Sequence, residues 1–322
     1  MKLDLAAVVM LVCCAGAVHT ANAAYPDKPV RWIIPGAAGG AADSIARVVS
    51  GAVSERWGQP IIIDNRPGAT GLLANDATAK AAPDGYALGL ATLSTFVVAN
   101  QVAKRLPYKP AQDFTPIAML CASPNLLSVT PSLPVNSVAE LIAYAKANPN
   151  KLFYGSSGIG SALHVVTELF RSSAGIDITH APYKSNPQAE IDLASGQIQL
   201  MIGNITSMEP NVKSGRLRAL AVTGPKRSPL LPNVPTMAEA GVPAAQMMTW
   251  GGVMGPANMP ADVVQKINAD FNAALNDPKV IKRLADLGCD SAPAPLSTFT
   301  ELIKTENERW GAVVKKNNIS TD

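Results

Sequence analysis

The residues with the chemistry to hold a ligand fall in two short stretches of small and hydroxylated side chains. The first is Gly36-Ala37-Ala38-Gly39-Gly40-Ala41-Ala42-Asp43, and the second is Ser156-Ser157-Gly158-Ile159-Gly160-Ser161. Neither contains a lysine or arginine, so what they offer is backbone N–H and serine O–H. Each is followed by apolar residues at helical spacing: Ile45, Val48, Val49 and Val53 after the first, Val165, Val166, Leu169 and Phe170 after the second. The first amides of a helix have no carbonyl partner within it, and the helix dipole favours negative charge at that end. The chemistry these stretches suit is the capture of an anion. They fit equally a pair of tight strand-to-helix turns in which glycine supplies positive φ.

The elements around them decide whether the two loops can work together. The run before Pro35 is rich in β-branched residues and reads as a buried strand, with a helix over residues 44–56 beyond the loop. Residues 152–155 read as a strand and 162–173 as a helix with Gly175 at its C-terminal cap. Between these units lie a strand at 60–64, a turn-rich loop at 65–71, a helix at 72–82 and a third strand at 86–90. Thr92, Ser94 and Thr95 place hydroxyls just past the end of that strand. Strands alternating with helices argue for a largely parallel sheet, with ligands outside the carboxyl ends of its strands. Residues 117–129 read as a long extended segment. Ser137-Val138-Ala139-Glu140 is a capping box opening a helix to 147. Strands at 178–183, 198–202 and 217–222 follow, with Gly203-Asn204-Ile205-Thr206-Ser207 as a further loop rich in hydroxyl and amide groups. An extended segment around Trp250 and helices at 261–275, 278–287 and 297–314 complete the chain. The simplest topology is an α/β protein of two lobes, joined by a hinge of two crossing strands. Lobe one comprises residues 24–125 plus 249–322, and lobe two residues 126–248.

At 322 residues the chain is long enough for two cores. A net charge of +3, with no basic runs carrying interleaved aromatics, argues against nucleic acid as a partner. Residues 5–18 are apolar but too short to span a bilayer comfortably, and Ala21-Asn22-Ala23 matches a cleavage site. Residues 1–23 are therefore expected to be a cleaved export signal, which makes the mature chain a soluble exported protein; the periplasm is the compartment implied by the resemblance given below. The mature chain keeps two cysteines, Cys121 and Cys289, which either pair or sit as small buried hydrophobes. With His164 and His180 the only mature histidines and no paired-cysteine motif, no metal site is expected. Enzyme signatures fail at specific positions. Gly155-Ser156-Ser157-Gly158-Ile159 ends on isoleucine where a nucleophile elbow needs glycine. The first loop lacks both the phosphate-loop lysine and the dinucleotide glycine spacing. No catalytic residue and no cofactor are expected.

Several ordered stretches resemble the Bug family of periplasmic solute-binding components of tripartite tricarboxylate transporters. They include Tyr25-Pro26-Asp27-Lys28-Pro29-Val30, Gly39-Gly40-Ala41-Ala42-Asp43, Asn65-Arg66-Pro67-Gly68-Ala69 and Ala81-Ala82-Pro83-Asp84-Gly85-Tyr86. Leu106-Pro107-Tyr108, Asp113-Phe114-Thr115-Pro116, the second loop with His164, residues 217–223 and Val234-Pro235-Thr236 extend the match over nearly the whole mature chain. The resemblance implies a Venus-flytrap fold of the type II periplasmic binding kind. It also implies a small organic carboxylate as ligand, a di- or tricarboxylate or an aromatic acid, held by amides and hydroxyls. The expected partners are membrane permease subunits, with the receptor itself a monomer. Carried over by position, the ligand-binding residues are Ala38, Gly39 and Asp43 from loop one and Ser156, Ser157, Gly160 and Ser161 from loop two. Thr92, Ser94, Thr95 and Asn204 line the cleft. Asp43 fits a cap on its own helix better than a contact to an anion, and His164 fits a hydrogen-bonded position beneath loop two. The chain departs from the family at Gly203, where many relatives carry an acid, and at Tyr183-Lys184-Ser185, where the family has Tyr-Lys-Gly. The first departure disfavours ligands with an ammonium group. Phe96 and Trp250 fit either the core or a ring-stacking role. An exported sensor that presents its closed form to a sensor kinase is the alternative to a transport receptor.

Overall fold

The computed structural model describes residues 25–68 and 71–320. The segment expected to be an export signal, and Ala69, lie outside the described residues. The chain opens with β1 (Val30–Ile34), α1 (Ala41–Trp57), β2 (Ile61–Asn65), α2 (Leu72–Ala79) and β3 (Ala87–Thr92). β1 lies between β2 and β3, parallel to both. Trp32, Ile33 and Ile34 are fully buried, as a strand covered on both faces requires. α1 ends at Gly58 in the left-handed conformation, whose N–H returns to the Ser54 carbonyl at 3.0 Å.

After β3 the chain winds through a π-helical segment (Leu93–Val98) into α3 (Ala99–Val102), and then enters β4 (Phe114–Val129), the longest strand. The second half contains α4 (Val138–Ala147), β5 (Leu152–Ser156), α5 (Ala162–Ala174), β6 (Ile178–Pro182) and α6 (Asn186–Ser195). These lead to β7 (Leu200–Asn204), α7 (Ile205–Lys213) and β8 (Arg218–Val222). The chain then returns through β9 (Met248–Pro256), α8 (Ala261–Leu275), α9 (Pro278–Asp286), β10 (Asp290–Ser291) and α10 (Leu296–Lys316). Ser137 caps α4 by accepting from the Glu140 N–H at 3.1 Å, and Glu140 accepts from the Asn136 N–H at 2.7 Å.

Among the described residues, strand pairing passes from the first group of strands to the second through β4 alone. Phe114 to Pro124 of β4 pairs antiparallel with β9, which in turn pairs with β3. Asn125 to Val129 pairs with β7 on one edge and, from Leu126, with β8 on the other. β5 lies parallel to β6 and β7. One hydrophobic cluster fills the first sheet beneath α1, α8 and α9, where Trp32 meets Phe271 edge-on at 5.4 Å. A second lies under α6 and α7. The largest joins the π-helical segment and α10 to α5 and the second sheet, through Phe96, Leu163, Phe170 and Trp310. Phe96 is thereby a core residue, edge-on to Phe114, while Trp250 packs edge-on to Phe299 and also lines the cavity described below. No helix among the described residues is long and apolar enough to cross a membrane.

Two of the differences from the sequence expectation bear on the site. Ile205-Thr206-Ser207 is the first turn of α7, where a loop is expected. Asn204 accepts from the Thr206 N–H at 2.9 Å and so starts the helix immediately at the strand's end. The β-branched residues and the internal Pro210 hide this helix from propensity. Leu93–Val98 is helical, where only a hydroxyl-bearing strand end is expected. The cysteine alternative resolves as a disulfide between Cys121 and Cys289, which ties the segment after α9 to β4 beside the β10 pairing.

Candidate ligand-binding site

Loop one runs from the end of β1 to the start of α1. Asp43 is the group that shapes it. Its Oδ2 accepts from the Gly39 N–H and the Arg47 Nε–H, both at 2.8 Å, and its Oδ1 accepts from Asn65 Nδ2 at 3.1 Å. The Arg47 hydrogen bond, aided by those from Gly39 and Asn65, pulls the Asp43 carboxyl down to about 2 against the opposing effect of burial. Only 2% of Asp43 is exposed, so it is an anchor for the loop, committed to partners inside the protein. Gly39 has φ +78 with open space around its missing Cβ, a conformation that glycine adopts without strain. Ala38, Gly39 and Gly40 are exposed, and Ala41 and Ala42 begin the helix behind them.

Loop two follows β5. Ser156 is fully buried, and its hydroxyl lies 2.7 Å from His180 Nε2 while also accepting from the Gly158 N–H at 3.2 Å. Ser161 caps α5 by accepting from the His164 N–H at 3.2 Å. The Gly160 N–H donates to His164 Nδ1 at 3.2 Å, which fixes the proton of a neutral His164 on Nε2. His164 therefore holds the loop from beneath, as its place in the sequence suggests. Ser157 is half-buried, and Ile159 is the exposed tip. Beneath the loop the rings of His164 and His180 stack at 4.0 Å, with Tyr154 beyond His180 at 4.8 Å. Tyr154 donates to Glu168 at 2.5 Å, and Glu168 pairs with Arg171.

Burial, reinforced by the neighbouring His164, pushes His180 down to about 3; burial likewise lowers His164. Both imidazoles fold neutral. The unfolded chain binds their protons below about pH 6.5, so stability is full above that value and falls as pH drops towards 3. For His180 we expect roughly 1.4 kcal/mol lost per pH unit in that window, with His164 adding in the same direction. Urea melts at pH 7 and pH 5 for the wild type and a His180→Gln variant check this; equal pH slopes for the two proteins would remove His180 from the account.

The structure brings the expected residues together unevenly. Thr92 accepts from the Thr95 N–H at 3.0 Å and its hydroxyl lies 2.8 Å from that of Thr95, closing the first turn of the π-helical segment. Ser94 spans the two halves, its hydroxyl accepting from the Ala162 N–H at 3.1 Å, so one of the first amides of α5 is already satisfied. Among the described residues no hydrogen bond joins loop one to loop two. Thr92 and Asn204 instead line one cavity of about 230 Å³. Ala41 and Ala42 at the start of α1, and Asn204 at the start of α7, bring two helix N-termini to it. Ile45, Leu90 and Leu287 add apolar wall, Ser123 and Thr249 add hydroxyls, and no charged side chain lines it. Sequence reasoning misses Ala41, Ser123, Thr249 and Leu287. For Ala41 the signal lies in its place at the first helical position. Leu287 and Cys289 flank Gly288, which has φ +74 and whose missing Cβ would lie 2.3 Å from Thr206 Cγ2. The two halves therefore meet at close range there, and only glycine fits.

The model of the tripartite tricarboxylate transporter family receptor matches residues 45–319. A UPF0065 protein in the tcbD-tcbE intergenic region of Pseudomonas sp. strain P51 is 36% identical over 292 residues, covering 90% of this chain and 87% of that one. Protein BugT of Bordetella pertussis is 34% identical over 97% of this chain and 96% of its own. Among solved structures, R. palustris Rpa4515 with adipate superposes with a TM-score of 0.81 at 38% identity, covering 92% of this chain and 99% of that one. MatC from Rhodopseudomonas palustris with bound malate gives 0.78 at 32% identity, covering 90% and 100%. With a family match spanning most of its length and solute-binding proteins as its structural neighbours, the chain belongs to the tripartite tricarboxylate transporter receptor family, whose members are periplasmic binding proteins and not enzymes.

Proposed function

We propose that this protein is the periplasmic receptor that captures a small organic carboxylate and delivers it to the membrane subunits of a tripartite tricarboxylate transporter. The observation that carries this reading is the cavity where two helix N-termini converge without a cationic side chain. Backbone N–H groups and helix dipoles stabilise a carboxylate there, while the apolar wall of Ile45, Leu90 and Leu287 accepts a carbon chain or ring. Capture fits a hinged pair of lobes, residues 24–125 with 249–322 and residues 126–248, moving about the β4–β9 ribbon. The neighbouring structures with adipate and with bound malate support a dicarboxylate. A ligand lacking an amino group is favoured by Gly203, which offers no carboxylate at that position to pair with an ammonium.

A thermal-shift screen of di-, tri- and aromatic carboxylates, with amino acids alongside, tests this, since a ligand that binds only the folded state raises the melting temperature. We expect a carboxylate hit and none among the amino acids; no shift from any carboxylate would overturn the reading. Two variants then test the loops by calorimetry. Ser161→Ala loses the α5 cap, costing about 1 kcal/mol of stability, and is expected to weaken binding roughly tenfold if its hydroxyl also meets the charged ligand. Gly39→Val is strained by its positive φ by roughly 1–2 kcal/mol and is expected to weaken binding further. Unchanged affinity in both folded variants would reduce these loops to turns.

A further inference from the structure

One buried donor near this cavity has no use in the fold. Asn125 is 1% exposed, and its side-chain Nδ2 has no hydrogen-bond partner among the described residues. Its backbone is fully engaged, donating to Thr223 Oγ1 at 2.8 Å and accepting from the Thr223 N–H at 2.8 Å. A buried amide left unpaired opposes folding, so each one calls for an explanation.

Its place in the sheet says which way the side chain lies. Asn125 stands directly opposite Asn204 in the β4–β7 register, and directly opposed residues share a face of the sheet. It is two residues from Ser123 on the same strand, with no register shift between them, and alternation puts those two on one face. Ser123 and Asn204 both line the cavity. Asn204 spends its Oδ1 on the Thr206 N–H and hydroxyl at the start of α7, so it too turns an amide NH₂ to other uses. At its β4–β7 end the cavity is lined by the carboxamide of Asn204 and by no cation, and Asn125 lies just behind that wall, directly opposite Asn204 in the sheet.

We propose that Asn125 is a specificity-determining residue. Its Nδ2 donates, directly or through one bridging water, to a second acidic end of the ligand, and so selects dicarboxylates over monocarboxylates of equal length. The inference rests on the carboxylate-receptor reading and deepens it. One carboxylate lies at the start of α1, the chain crosses the apolar wall, and the second carboxylate meets the donors of Asn125 and Asn204.

The test is calorimetry of adipate against hexanoate, with malate as a shorter diacid, on wild type, Asn125→Leu and Asn125→Asp. Leucine keeps the volume without the donor; aspartate keeps the shape and turns the donor into an acceptor that repels a carboxylate. Wild type should prefer adipate to hexanoate. Asn125→Leu should lose at least tenfold in adipate affinity while hexanoate changes less than threefold, and Asn125→Asp should lose more. If the leucine variant does not fold, the aspartate variant decides the question alone. A wild type that binds hexanoate as tightly as adipate, or variants that shift both acids equally or neither, would overturn this inference and leave the receptor reading standing. A wild type that binds none of the three acids would overturn this inference; the broader carboxylate screen decides the receptor reading separately.

Discussion

Replacing Cys121 and Cys289 together by serine is expected to lower the unfolding free energy by roughly 5 kcal/mol, on the chain-entropy account of a disulfide that closes so long a loop. The bond joins positions 168 residues apart, so it restricts most of the unfolded chain. Both sulfurs are buried, which shields the bond in the folded state. Urea melts of oxidised wild type, reduced wild type and the double variant measure the effect. The reduced protein and the variant should coincide, well below the oxidised protein. A difference below about 1 kcal/mol would mean that the unfolded chain is already restricted by residual structure. Because Cys289 also lines the cavity, ligand affinity measured on the same samples reports whether the tether positions that wall.

Asp43→Ala is expected to be the most damaging single change in loop one. It removes the acceptor of the Gly39 N–H and of the Arg47 guanidinium, and one of the two acceptors of the Asn65 amide, which keeps its bond to the Gly36 carbonyl. Hydrogen bonds to a charged group contribute about 1.5–3 kcal/mol each but are not additive, and Arg47 is half exposed and can turn to water. A total of about 3 kcal/mol follows. Affinity should fall with it, since Gly39 would no longer be held at positive φ. Asp43→Asn, which keeps one acceptor, should fall between. The pH dependence carries a signature. With its pKa held down to about 2, the Asp43 contribution is complete above about pH 4 and is lost as pH falls towards 2. The variant's stability should therefore converge on that of wild type in that range. Parallel curves down to pH 2 would show that the carboxylate is not the anchor.

The parts of this molecule legible in the sequence are those set by short-range chemistry. Glycines and a following aspartate mark loop one because a positive φ and an anchoring carboxylate are local requirements. Ser161 and His164 mark loop two because a cap and an i+4 partner are one helical turn apart. The strand and helix periodicities from Val30 to Thr92 are equally local. What the sequence concealed depends on long-range register. α7 escapes because its residues favour strands and turns, and only the neighbouring sheet makes them helical. β10 is two residues long and exists because the disulfide and β4 hold it. The Ser94–Ala162 bond and the face shared by Asn125 and Asn204 require knowing which strands become neighbours. The apolar wall was hidden for the same reason, since Leu287 reads as an ordinary helix end.

The pairing of β3 with β9 bears on how the chain is made. β3 ends at Thr92, and its antiparallel partner begins at Met248. A chain made N-terminus first therefore presents β1, β2 and β3 with the β3 edge unpaired, besides the β2 edge that stays open in the finished sheet, until the whole middle of the molecule has followed. The second cysteine emerges later still. Open edges of this kind pair readily with other chains. The vulnerable interval for aggregation is then set by how quickly residues 93–256 follow, and anything that covers the β3 edge during that interval would raise yield without touching the folded protein's stability.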